Sequence, residues 1–452
     1  MSNKQKQTAI IGAGITGLVT AFYLHKNKIP FHIYEKSDHI GGVIQTTKEG
    51  DFIYESGPNS GTISTPETAE LFEDLNLKPE VANSASAKRL IWKNGRWHAL
   101  PSGLAGGVTT PLFTFGDKLR ILGEPFRKKG NNPDETLADL VRRRMGKSFL
   151  NYAVDPFILG IYAGDPEYIV PKYALPKLYN LEQEYGSFVG GTIKKRKEPK
   201  DPRDDKATRE IFSAEGGLEE LVHALVAVLG KDNITTQCGT LTIEQKDHAY
   251  TVNGKEYTHV VSTVNAPQLP VLFPFIKQQQ FAAITNLKYA RVTEVALGFK
   301  KWDGMSLDAF GGLIPFRENR DILGVLFMST LFKNRAPKGG ALITTFVGGM
   351  RKPEHADLKG KDLEDLIAKE MKITMGLKSF RPDLFRPRSY TEAIAQYGAD
   401  SGPRLEAISE IEEKHPGLFL AGSIRNGIGM ADRIKQGRQL AEQIAGLKGS
   451  AK

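Results

Sequence analysis

The segment Gly12-Ala13-Gly14-Ile15-Thr16-Gly17 constrains this chain more than any other. It follows an apolar strand pattern at 8–11 and opens a helical one at 15–26. A second strand pattern, 31–35, ends on Glu35. Each glycine has its own steric task in such a strand–turn–helix. Gly12 permits the tight turn, Gly14 lets a pyrophosphate approach the backbone, and Gly17 lets the helix pack closely on the strand. Ile15 and Thr16 begin the helix, whose free N–H groups and positive dipole end face the phosphates. Glu35, 18 residues beyond Gly17, is placed to accept both hydroxyls of a ribose and argues against a 2′-phosphate. The expected start is therefore a βαβ unit that binds a dinucleotide. Strand, helix, spacing and acid together disfavour an incidental glycine-rich turn. The motif alone does not separate NAD from FAD.

Related signals return at the far end, where a strand pattern (418–421) leads through Gly422 and a glycine-rich loop into a helix (431–447). Between the two ends lie a hairpin signal at Asn94-Gly95, an aromatic-rich helical stretch (111–181), a charge-dense segment (194–209), and strand-like alternation from 234 to 262 and from 290 to 349. This interleaving points to a discontinuous nucleotide-binding domain with other material inserted. The chain has 452 residues, 40% of them hydrophobic, enough for two or three domains with real cores. No apolar run reaches the roughly 18–20 residues that cross a bilayer. Residues 1–7 are polar, so no secretory leader is expected. A single cysteine, Cys238, excludes an intrachain disulfide framework and argues against cysteine-based zinc or iron–sulfur sites; a reducing, cytoplasmic setting is the natural expectation. No metal-ligand spacing is present. The net charge of +9 suits nucleic acid, an anionic membrane or an acidic small substrate. No nucleic-acid recognition motif accompanies it.

A second glycine pair, Gly41-Gly42, lies just past Glu35 and is followed by Ile44, Thr46 and Glu55-Ser56-Gly57-Pro58. This resembles the FAD fingerprint of the flavin amine oxidase superfamily, although Val43 stands where many members carry an arginine. Near the C-terminus, Gly422, Ser423, Gly427, Gly429, Met430 and Asp432 lead into the last helix, with Asp432 as its cap and Gly437 allowing close packing. A helix N-terminus there would stabilise negative charge on the pyrimidine end of a reduced flavin. Ser423 replaces the acid that related flavoproteins often carry.

Further segments narrow the resemblance. Gly160-Ile161-Tyr162-Ala163-Gly164-Asp165-Pro166 and Tyr185-Gly186-Ser187 are similar to segments of the flavin-dependent protoporphyrinogen and coproporphyrinogen oxidases. So are Phe310-Gly311-Gly312-Leu313-Ile314-Pro315, Leu323-Gly324-Val325-Leu326-Phe327 and Thr344-Thr345-Phe346-Val347-Gly348-Gly349. The similarity runs in order from about residue 9 to residue 444. It implies an α/β fold: a discontinuous FAD-binding Rossmann-like domain, an inserted α+β substrate domain and a helical membrane-associating subdomain. The implied boundaries are 1–88, 210–280 and 410–452 for the FAD domain, 89–209 for the helical part and 281–409 for the substrate domain.

The resemblance also implies three successive hydride transfers from a porphyrinogen to FAD in heme biosynthesis, with oxygen as acceptor and hydrogen peroxide as product. It implies substrate contacts by Arg89 (to a propionate), Gly164 (its carbonyl), Leu313 and Leu326 (sandwiching a pyrrole) and Phe346 (stacking). Without the flanking motifs, these would read as a surface arginine, a turn glycine and ordinary strand core. Gly57, Pro58, Leu241, Gly422 and Met430 join the glycine-loop residues as expected FAD contacts. A ferrochelatase-type pathway partner, a homodimer and a location on the inner face of the cell membrane are further expectations. Lys93, Arg96, Lys177 and Arg317 are candidates for extra carboxylates, four on coproporphyrinogen against two on protoporphyrinogen. A carotenoid desaturase, an amine oxidase and a non-catalytic FAD-holding carrier are the rival readings. No general acid or base stands out; His98 and His223 read as structural or surface residues. The basic run Lys194, Lys195, Arg196, Lys197, Lys200, Arg203, Lys206 and Arg209 reads as a mobile solvated loop or a contact for anionic lipid.

Overall fold

The computed structural model describes residues 7–101, 106–107, 109–199, 201–247 and 249–447; the polar start 1–6 and Lys200 of the basic run lie outside these. The strand Thr8–Ile11 is buried along its whole length, as expected where helices cover both faces of a parallel sheet. It sits at the centre of five parallel strands, in the order Ile234–Thr235, Phe31–Tyr34, Thr8–Ile11, His259–Ser262, Leu418–Leu420. Three distant stretches of chain thus build one Rossmann-like sheet. The helix Ile15–Lys26 packs against the last helix, Met430–Ala445. Gly437 makes this approach possible, because a β-carbon there would stand 2.7 Å from the Thr16 carbonyl oxygen.

A second sheet has seven strands, in the order Leu384–Ala395, Tyr289–Phe299, Ala341–Gly348, Gly324–Leu326, Gly311–Leu313, Arg89–Lys93, Arg96–Ala99. All its pairings are antiparallel except that of Arg89–Lys93 with Gly311–Leu313. One face buries Val295, Leu297, Val325, Ile343 and Val347 beneath Leu363, Ile367 and Met371 of the helix Gly360–Met375. The other face meets Phe52 and Tyr54, from the first part of the dinucleotide-binding unit, around Ala296 and Leu342.

The Asn94-Gly95 turn has positive φ at both residues (51° and 78°), the twist that joins two adjacent antiparallel strands. Residues 89–99 are therefore sheet, and the helices Phe115–Leu122, Leu137–Arg144, Asp155–Tyr162, Pro176–Tyr185 and Phe188–Lys195 follow them. The charge-dense segment is not the loose loop expected in its second half. Arg203 pairs with both carboxylate oxygens of Glu70 at 2.8 Å, and Lys206 bonds Glu73 at 2.6 Å, which fastens it to the helix Pro66–Asp74. These cations are consumed by neighbouring acids that the sequence pattern did not bring near them.

Candidate active site

The glycine turn has the geometry its sequence demands. Gly12 sits at φ +104°, and a β-carbon on Gly17 would lie 2.1 Å from the Gly12 carbonyl oxygen. Gly14 differs: a β-carbon there would meet nothing within 4 Å. Gly41 donates its N–H to the Ala13 carbonyl at 2.9 Å, which brings the second glycine pair against the first. At Gly42 the nearest atom to an added β-carbon would be the Gly14 Cα, at 3.1 Å. An added β-carbon at Gly14 or Gly42 would meet no side chain, so these two residues present bare backbone, a fit for a pyrophosphate. Glu35 holds the turn in place. Its Oε2 accepts the Ala13 N–H and its Oε1 accepts the Ser37 N–H and hydroxyl, all at 2.8 Å. A carboxylate has about four acceptor sites, so capacity remains for ribose hydroxyls. Ile15 and Met430, the first residues of their helices, pack against one shared core, and Thr16 is buried beside them. Leu241 is only 3% exposed and its side chain lies in the core, which leaves its backbone for any cofactor contact.

The C-terminal loop is held by its carbonyls. Tyr397 donates its hydroxyl to Ser423 O (2.8 Å) and Gly427 O (2.9 Å), and Arg404 Nε donates to Ile424 O (3.0 Å). Arg433 donates to Gly422 O, and to Arg425 O and Asn426 O at 2.8 Å. Six consecutive carbonyls, 422–427, are thus drawn to three buried side chains. A trans peptide points its N–H opposite to its C=O, so the amides that follow these carbonyls turn the other way, with one weak internal bond from Arg425 N–H to Gly422 O (3.5 Å). The loop is thereby fixed through its carbonyls, which leaves most of its N–H groups without a backbone partner among the described residues and available to an electron-rich ligand.

The substrate-side candidates share one sheet face. Leu313 lies directly opposite Gly324, and Gly324 opposite Phe346. Leu326, two residues from Gly324, points the same way. The register continues through Ile91 beside Leu313, which puts Arg89 and Lys93 on this face as well. Leu313, Leu326 and Phe346 are only half-buried, unlike the strand residues packed beneath the helix on the other face. Arg89 is exposed, with its guanidinium 5.3 Å from the Phe310 ring centre. Gly164 follows Ala163, which ends the helix Asp155–Tyr162 in a left-handed conformation (φ +45°). A β-carbon on Gly164 would come within 2.7 Å of Gln396 Oε1, a buried acceptor with no partner among the described residues. Lys93 and Arg317 converge on Tyr152, 4.5 and 5.0 Å from its ring centre. Burial and the charge of Arg317 pull the Lys93 ammonium below its usual range. His98 meets the Lys93 carbonyl and His223 meets Glu220, each at 3.3 Å.

The family model described as flavin containing amine oxidoreductase matches residues 15–445. The chain belongs to this family. A dinucleotide site in a flavin-containing family holds FAD, and the bare backbone at Gly14 and Gly42 accommodates it. Protoporphyrinogen oxidase 2 of Arabidopsis thaliana is 27% identical, over 97% of this chain and 94% of the relative. Coproporphyrinogen III oxidase of Bacillus subtilis is 26% identical, over 97% of each chain. A crystal structure from Exiguobacterium sp. 255-15, provisionally named a protoporphyrinogen oxidase, shares the fold with a TM-score of 0.81 at 22% identity, over 98% of this chain and 99% of that one.

Several residues at the candidate site carry no mark in the sequence. Glu294 on the strand Tyr289–Phe299 accepts the Gly57 N–H at 2.8 Å and so ties the sheet face to the loop that carries Gly57. Glu55 accepts the Leu218 N–H (3.0 Å) and the Thr46 hydroxyl (2.6 Å), and burial pushes its carboxyl up to about 7. Asn59, Gln396, Tyr397, Arg404 and Arg433 were likewise invisible. Their partners lie far away in the chain, and polar residues inside strands and helices normally read as surface.

Proposed function

We propose that this FAD enzyme oxidises a porphyrinogen to the porphyrin in heme biosynthesis, with oxygen as final acceptor and hydrogen peroxide as product. The observation that carries the reading is the single sheet face on which Arg89, Leu313, Leu326 and Phe346 stand, tied through Glu294 to the loop that carries Gly57. Curated relatives of nearly the same length named for porphyrinogen oxidation support it. FAD, when bound, supplies the hydride acceptor for each of three two-electron oxidations. The chain supplies orientation. Arg89 offers a planar fork to one propionate, the two leucines and Phe346 offer apolar surface to the rings, and the Gly164 carbonyl offers an acceptor to pyrrole N–H groups. Lys93 and Arg317 give the same region further positive charge for a substrate with more carboxylates. Anaerobic mixing with protoporphyrinogen and coproporphyrinogen tests the reading. Bleaching of the flavin by one, with its porphyrin fluorescence appearing when air returns, identifies the substrate. A flavin that neither bleaches refutes porphyrinogen oxidation.

The helical segment also supports peripheral membrane docking. Among the described residues no helix is long and apolar enough to cross a membrane. Yet Phe115 and Phe126 are 77% and 91% exposed, on a segment that also carries Lys118, Arg120 and Arg127. Exposed aromatic rings beside cations suit an anionic bilayer surface. Flotation with anionic vesicles at low salt is the test, and Phe126→Ser should reduce the bound fraction.

A further inference from the structure

The strand Tyr289–Phe299 buries a carboxyl on the face that the proposed function assigns to substrate. Glu294 is 3% exposed and lies directly opposite Phe346. Its Oε2 accepts the Gly57 N–H at 2.8 Å, and its Oε1 accepts the Asn59 side-chain N–H at 2.7 Å. Asn59 also donates to Gly57 O at 3.1 Å and accepts the Thr344 hydroxyl at 2.8 Å. One carboxyl therefore joins the 57–59 turn to two adjacent strands of the substrate face.

No cation neutralises Glu294 within ion-pair distance among the described residues. Three charged or titratable groups face it. Glu55, from the strand Phe52–Glu55, repels it. Arg388, its register partner, is exposed and stacks 5.8 Å from the Tyr390 ring. Tyr390 spends its hydroxyl on Ser56 O at 2.9 Å. An unpaired carboxylate in such a place is costly and persists where it serves a function more often than where it only fills space.

We propose that Glu294 is a pH-sensitive positioning residue, which holds the 57–59 turn against the cofactor and substrate face only while it is ionised. This rests on the porphyrinogen-oxidase reading of the site. An ionised carboxyl accepts both N–H groups at once. A protonated one accepts well only through its carbonyl oxygen, because its hydroxyl oxygen is a weak acceptor and carries a proton that must itself be donated. The Gly57 N–H is backbone and keeps its direction, so the added proton must sit on Oε1, facing Asn59. The Asn59 amide then has to rotate, loses its bond to Gly57 O, and turns its NH2 toward Thr344, whose hydroxyl must find another acceptor. One proton thus reverses the whole chain of hydrogen bonds. Burial is the main influence on this carboxyl, opposed by the bonds from Asn59 and Gly57 and reinforced by Glu55, and it pushes the group up to about 8. The switch falls in the working range of pH.

The test measures FAD release from diluted holoenzyme, thermal stability, and kcat/KM between pH 6 and 10. In the wild type, FAD retention and kcat/KM should fall roughly tenfold as pH drops through the transition, the loss expected for one charge-assisted hydrogen bond. Stability should move the other way. The folded state holds a proton that the unfolded chain releases, so stability is lost as pH rises toward about 8. Glu294→Gln should lose the transition in FAD retention and kcat/KM and the stability loss near pH 8, keeping only the decline that Glu55 causes up to about 7, and should hold FAD as weakly at every pH as the wild type does at low pH. Asn59→Ala, which keeps the carboxyl but removes a bond that favours its ionised form, should move the midpoint upward. A Glu294→Gln enzyme that keeps the transition, or an Asn59→Ala midpoint that does not move, overturns the proposal. FAD release needs no substrate, so a failed porphyrinogen assignment would leave these FAD results standing.

Discussion

Leu313 and Gly160 meet across the junction of sheet and helix: the leucine Cδ2 lies 2.7 Å from where a β-carbon on Gly160 would stand. The helix Asp155–Tyr162 can approach the substrate face this closely only because one of its residues has no side chain. Gly160→Ala should push the leucine off its position at a cost of about 1–3 kcal/mol in stability. The Michaelis constant for porphyrinogen should rise severalfold while FAD content stays normal. A lower melting temperature with unchanged kinetics would remove Leu313 from the substrate surface.

Gly14→Asp should give a folded, colourless protein. Nothing within 4 Å opposes the new β-carbon, so the fold is retained, but the carboxylate projects into the space for the pyrophosphate. Absorbance near the flavin bands and a melting curve check both halves of this expectation. A yellow variant would place the cofactor elsewhere.

In the proposed reading Arg89 contacts substrate and not the cofactor. It is exposed, stacked on Phe310, and stands on a different sheet from the strand that leads into the glycine turn. Arg89→Ala should raise the Michaelis constant roughly tenfold or more with less effect on turnover, the pattern of a contact made equally in ground and transition states. Arg89→Lys should recover only part of this, because an ammonium does not reproduce the planar fork. The measurement is steady-state kinetics with both porphyrinogens.

Tyr397→Phe removes one hydroxyl that serves two carbonyls of the C-terminal loop, Ser423 O and Gly427 O. The expected cost is about 1–3 kcal/mol, from leaving partly buried acceptors unsatisfied. FAD should dissociate faster, because the loop loses part of its anchoring. Equal FAD retention in variant and wild type would show that Arg404 and Arg433 suffice to hold the loop.

Glu55 gives a pH signature of its own. Below its ordinary value of 4.5 it is protonated whether the chain is folded or not. Between there and about 7 the fold keeps a proton that the unfolded chain releases. Stability therefore declines with rising pH across that window, and the contribution of Glu55 levels off above it. Glu55→Gln should flatten that part of the stability curve, by an amount on the order of 3 kcal/mol for this largely buried group. Urea melts at several pH values measure it.

The strand–turn–helix at 8–26 and the turn at Asn94-Gly95 were legible because each depends on neighbours a few residues apart, and the discontinuous parallel sheet, built from distant stretches, was legible only because strand and glycine-loop signals return near the C-terminus. Gly12 must take a positive φ whatever surrounds it, and Gly17 must be bare because its own helix folds back on Gly12. The substrate face was reached only through resemblance. Half-buried leucines and a phenylalanine in strands look the same in sequence whether they line a pocket or a core.

The sequence by itself determined the backbone geometry of the glycine turn at 12–17, since that geometry is set by residues close together in the chain. Tertiary structure decided what surrounds it. Asn59 and Glu294 are 235 residues apart, Asn59 and Thr344 are 285 apart, and Arg203 finds Glu70 across 133 residues. No periodicity encodes these meetings. They follow from strand register and sheet order, which are settled when distant apolar faces pack together. Only then does an ordinary glutamate in a strand become a buried carboxyl with no counter-ion among the described residues.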